Sequence, residues 1–105
     1  MILPLIALLL AAPQAAPSTY LFIGTLEREG DGIVLRRCDL AENRYMLVDA
    51  AGAHVMARLR KAKLPAYGEV IAHVVEQGDR VILQVERVEK LTPGKSCHLT
   101  DLLGA

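Results

Sequence analysis

Tryptophan is missing from this chain, and phenylalanine occurs once. With three tyrosines, the aromatic share is 4%. That is little material for the stacking platforms with which single-stranded nucleic acid is held. Net charge is also missing: twelve basic residues balance twelve acidic ones. A general electrostatic footprint for nucleic acid is therefore not expected. Cysteine is reduced to two residues, Cys38 and Cys97, with no Cys-x-x-Cys spacing. Catalytic motifs are absent too. Ser18 and Ser96 fall in expected loops, and His54, His73 and His98 sit in no recognisable arrangement. The acidic residues are spread through turns and strand edges, with no close pair for acid–base work. A nucleophile needs a base and an orienting group within reach. The sequence suggests neither, so no enzyme activity and no cofactor are expected.

Charge is missing altogether from residues 1–19, "MILPLIALLLAAPQAAPST". The apolar run Ile2–Ala12 is shorter than the roughly 20 residues an ordinary membrane-spanning helix needs. It fits a secretory leader, with small residues at Ala11–Ala16 where a signal peptidase cuts. No Lys or Arg precedes the run, and an uncleaved anchor or a buried helix is the alternative. No cysteine follows closely, which argues against a lipid-anchored lipoprotein. The expectation is a signal peptide over residues 1–17 and a domain over 18–105, exported to the periplasm or secreted, with no stable membrane span after processing. The remainder, about 85 to 90 residues, has a thin core for its size.

Short apolar runs separated by turn residues give the pattern of a small all-β domain. "TYLFIGTLERE" alternates, with Tyr20, Phe22, Gly24 and Leu26 on one face and Leu21, Ile23 and Thr25 on the other. Gly24 predicts a bend or bulge. "EGDG" is a turn; "GIVLRRC" is the second run; "DLAEN" leads into the third, "RYMLVD". "AHVMARLRKAKL" is ambiguous. Period 2 places Val55, Ala57 and Leu59 inward, whereas a helix places Val55, Leu59 and Ala62 on one face. A strand-like start passing into a short helix that Pro65 ends is the preferred reading. "GEVIAHVVE" and "DRVILQVERVE" are joined by "QGD", a hairpin signal. The fold class expected is mainly β: a small five-stranded OB-like barrel with a short helix between strands 3 and 4. A two-sheet sandwich is the rival.

A small barrel gains from a staple. In an exported chain, two cysteines favour pairing. A Cys38–Cys97 bridge closes a loop of about 60 residues, worth roughly 4 kcal/mol in the chain-entropy model. It ties the tail to the end of the second strand. Two free thiols, or a metal pair, are the alternatives.

The strand ending in a cysteine, "VLRRC", is followed by "DLAENRYMLVD", a helical connection, two strands and the tail "LTPGKSC". This layout resembles the C-terminal OB-fold domain of the NlpE type of copper-homeostasis and envelope-stress lipoprotein. "RYMLVDAAGAHVMARL" with "GEVIAHV" is also similar to small periplasmic bacterial OB-fold proteins. The resemblance spans roughly Tyr20 to Leu99 on few identities. It implies an OB-fold, an envelope location and the disulfide. In that lipoprotein type, metal binding is attributed to a Cys-x-x-Cys motif outside this domain. The present sequence has neither that motif nor a lipid-attachment cysteine, so copper binding is not implied.

Two candidate surfaces follow from the residues. His54 and Met56, two apart, share a face if the segment is a strand. Met46, Cys97 and His98 add ligands of the kind copper or zinc accepts. The plain alternative is that the methionines fill core and His54 lies on the surface. "RLRKAK" holds Arg58, Arg60, Lys61 and Lys63, a basic patch suited to an acidic envelope protein or an anionic surface. The plain alternative is a solvated connection. The function expected is a non-catalytic exported binding or interaction module, with a periplasmic metal-binding or tolerance protein as the alternative.

Overall fold

A computed structural model describes residues 18–41 and 43–98. The expected leader, and the tail from residue 99, lie outside the described residues. The elements are β1 (Tyr20–Glu29), β2 (Gly32–Arg37), β3 (Arg44–Asp49), α1 (Val55–Lys61), β4 (Ala66–Gln77) and β5 (Arg80–Pro93). The strands close into a barrel in the order β1-β2-β3-β5-β4. β3 pairs with β5 in parallel, and every other pair is antiparallel. The chain is thus mainly β, a closed five-stranded OB-like barrel with one short helix among the described residues.

Two short turns set the register of the hairpins. Gly30 and Gly78 take φ of 60° and 61°, a left-handed conformation that costs glycine little. The second turn lies between Gln77 and Arg80, which pair directly, as the "QGD" signal predicts.

The barrel interior is filled by alternate residues. β1 gives Leu26, β2 Ile33 and Leu35, β3 Leu47, β4 Val70 and Ala72, and β5 Leu83 and Val85. α1 plugs one end with Val55, Met56 and Leu59. It starts where it does because Asp49, at the end of β3, accepts hydrogen bonds on Oδ1 from the Val55 and Met56 amides at 2.6 and 2.9 Å. These are donors that a helix start otherwise leaves unsatisfied.

Two expectations are corrected here. Pairing with β4 stays in register through Gly24, and pairing with β2 begins there, at Gly24↔Arg37, so Gly24 marks no bulge. A Cβ at this position would lie 2.5 Å from the Arg36 carbonyl oxygen and 2.6 Å from Leu35 Cδ2. The glycine permits close approach across the strand. Its partner Gly68 does the same for Leu26. The register shifts lie instead in the β4–β5 pairing, where Glu89 and Glu86 are skipped. The second correction concerns the connection. Its helix begins at Val55, so Ala57 is exposed and Met56 is buried.

Candidate functional site

The tail is the first place where the sequence chemistry converges. Cys38 and Cys97 form a disulfide with Cα atoms 5.5 Å apart. Cys38 directly follows β2, and its amide donates to the Ile23 carbonyl at 3.2 Å. The bridge therefore lands on the outer face of β1, two residues from Thr25. There the tail covers Thr25 completely. Thr25 Oγ1 lies 2.9 Å from His98 Nδ1 and 3.2 Å from Ser96 Oγ. His98 Nε2 lies 2.8 Å from the Arg37 carbonyl. A carbonyl only accepts, so Nε2 carries a hydrogen; in the neutral ring Nδ1 then accepts from the Thr25 hydroxyl. Sequence reading missed this latch. Alternation sets Thr25 on one strand face with Leu21 and Ile23, and nothing near it in the chain signals the cover.

The metal-ligand candidates are not brought together. His54 precedes α1 in a left-handed conformation, φ 55°, and its side chain is on the surface. Met56 is core, 4% exposed. The expectation that the two share a strand face fails because the helix begins between them. Cys97 is spent in the disulfide, and His98 is in the latch. Met46 lies in a surface groove on the other side of β2. No group of three His, Cys, Asp or Glu side chains is placed to hold a metal ion among the described residues.

That groove lies across β2 and β3, bounded by the β1–β2 and β4–β5 turns, with a volume of about 570 Å³. Val34 and Met46 form its apolar floor. Glu29, Arg44, Asp79 and Arg80 form its charged walls. Beside it, Arg36 is 6% exposed, and its Nε donates to Glu27 Oε1 at 2.9 Å. Arg44 Nη1 lies 3.6 Å from Glu29 Oε2 and 4.0 Å from Glu27 Oε1. These cross-strand pairs hold Arg44 over the floor. Asp79 and Arg80 make no ion pair among the described residues, so their charges face the groove unspent.

The basic patch is exposed at all four positions, Arg58, Arg60, Lys61 and Lys63. A fifth cation joins it. Arg28 Nη2, from β1, donates to the carbonyls of Arg60 and Ala62 at 2.9 and 3.0 Å. Those carbonyls belong to the end of α1, where a helix leaves acceptors unsatisfied. On the opposite side of the molecule, Tyr45 and Asp39 flank Arg37. The Tyr45 hydroxyl, 3.5 Å away, holds the Arg37 guanidinium above its ordinary value.

Comparisons of the chain with family models, with curated proteins and with solved structures find no match, so the lipoprotein resemblance stands on the sequence layout alone.

Proposed function

We propose that the protein is an exported, non-catalytic binding module that takes a segment of an envelope protein into the β2–β3 groove. The observation that carries this reading is the groove's make-up: an apolar floor of Val34 and Met46 beneath walls of both charge signs. Five-stranded OB-type barrels present this same face, with the turns after β1 and β4, to their ligands. Oligonucleotides and anionic saccharides call for a net positive wall. Here Glu29 and Asp79 offset Arg44 and Arg80, which fits a polypeptide of mixed charge. The disulfide supports the exported compartment, because structural disulfides persist in oxidising surroundings.

Photo-crosslinkers placed at Met46 and Val81 in the native host test the reading. One recurrent envelope protein is expected from both positions, with the yield falling when Arg44 and Arg80 are changed to Ser. Crosslinks that are missing, or indifferent to those changes, would overturn it. Export is checked separately by the mass of protein recovered from that host. A mass starting between Ala12 and Tyr20 is expected; one that retains Met1–Leu10 contradicts processing.

A further inference from the structure

Five large apolar side chains are exposed among the described residues: Tyr20, Leu21, Ile23, Leu40 and Val74. They come from three separate stretches of chain, yet the fold gathers them at one rim. Tyr20 pairs with Ala72, so Val74 lies just beyond it along β4. Cys38 bonds back to Ile23, and Leu40, fully exposed, stands in the turn two residues further on. Scattered single apolar residues on a surface need no explanation, but a contiguous group does.

Two of the charges near the rim are paired with each other. Arg37 and Asp39 face each other at 3.4 Å. Of the cations without an ion pair among the described residues, Arg80 lies by the β4–β5 turn, opposite Gln77, and Arg28 is at the other end of β1. Arg28, eight residues along β1 from Tyr20, reaches the end of α1. The extended strand puts Arg28 about 26 Å from Tyr20.

We propose that this rim is the surface with which the protein rests on a lipid bilayer. The occupant is indicated by where the chain enters the fold. Residues 1–17 join β1 at the rim itself, through Ser18 and Thr19. Pro13–Thr19 spans at most about 25 Å when fully extended. Until processing removes it, the apolar run Ile2–Ala12, when it lies in a membrane, therefore holds the rim near the membrane surface. Tyr20 is suited to that depth, with an apolar ring and a polar tip. Leu21, Ile23, Leu40 and Val74 enter the boundary between headgroups and acyl chains, as the apolar faces of interfacial proteins do. This placement is independent of what fills the β2–β3 groove, which lies on another face and stays open.

The test uses the full chain, isotope-labelled, in phosphatidylcholine bicelles carrying a nitroxide on a small share of the headgroups. The expected result is several-fold stronger broadening of the amide signals of Asp39 and Val74 than of Arg58 and Lys61. Leu21→Asn with Leu40→Asn should abolish that difference while the thermal midpoint is retained, and Leu40→Asn alone should reduce it. Equal broadening at both ends, or no effect of the substitutions, would mean that the apolar run alone holds the protein. Stronger broadening at Arg58 and Lys61, or broadening that appears only with phosphatidylglycerol, would mean that the cationic end docks. Rim shifts that grow with protein concentration without lipid would make a second copy the occupant. Any of these outcomes overturns the proposal.

Discussion

Replacing Thr25 with Val removes one hydroxyl and keeps the shape and β-branching of the side chain. Propensity and packing are therefore preserved, and the change isolates the latch. Four groups surround Thr25 Oγ1: His98 Nδ1 at 2.9 Å, Ser96 Oγ at 3.2 Å, the Cys97 amide at 3.4 Å and Cys97 Sγ at 3.5 Å. The disulfide prevents the tail from swinging out to water, so His98 Nδ1 loses its shortest hydrogen bond in place and keeps the longer one to Ser96 Oγ at 3.4 Å. One intramolecular hydrogen bond contributes about 0.5–1.5 kcal/mol net. For a domain of this size each kcal/mol lowers the midpoint by about 4–8 °C. Thermal or urea unfolding of the oxidised variant should therefore show a loss of about 1 kcal/mol. A double-mutant cycle with His98→Ala should give a coupling of about 1 kcal/mol, since the two residues touch. A loss below about 0.5 kcal/mol, the range of unremarkable surface changes, would refute the latch as a stabilising contact.

Three further outcomes follow from the geometry. Gly24→Ala should cost about 1–3 kcal/mol or more in urea unfolding, because the new methyl meets the Arg36 carbonyl 2.5 Å away; a neutral result would mean that β1 and β2 can part at no cost. The Tyr67 hydroxyl donates to Glu69 Oε2 at 2.7 Å, and this carboxylate pushes the phenol's ionisation above its ordinary value. The folded state therefore favours the protonated phenol, and the stabilisation is present below that ordinary value and lost as pH rises through the raised one. Alkaline absorbance titration should show a late tyrosine component that Tyr67→Phe removes. Changing Arg58, Arg60, Lys61 and Lys63 together to Gln should alter stability by less than about 1 kcal/mol, the share owed to the helix end; failure to fold would show that these cations are structurally paired.

The succession of strands and helix along the chain was readable because it depends on local signals. "RYMLVD" is bounded by polar turn residues and became β3 with those limits. "QGD" became a turn because glycine alone takes its first position cheaply. The exposure of the four cations was readable as well, since isolated buried charge is too costly to place inside. What stayed hidden depends on partners far along the chain. Val34 and Arg36 point away from the barrel interior yet are buried, because Met46 and Glu27 from neighbouring strands lie against them. Arg28 joins the basic patch only through carbonyls more than thirty residues away. The groove's charges come from β1, β3 and the β4–β5 turn, so no single stretch displays them. The helix start escaped notice for the same reason: Asp49, its cap, is the last residue of the preceding strand.

The position of Cys38 now has a physical account. β1 is the strand that needs help. Its inner face is covered by the barrel core, but its outer face carries Leu21, Ile23 and Thr25 in succession. A strand end at Cys38 lies against Ile23 through a backbone hydrogen bond, which makes it the nearest fixed point from which to hold a cover over Thr25. The cover consists of Ser96, Cys97 and His98, whose polar groups match the one polar side chain of the three. Over Leu21 and Ile23 the same tail would have left its serine and histidine unsatisfied, at the desolvation cost that governs buried polar groups. On β1 the described tail meets Thr25, while Leu21 and Ile23 of the same face are exposed. The latch and the exposed pair Leu21 and Ile23 are thus two parts of one strand face, divided where its chemistry changes from polar to apolar.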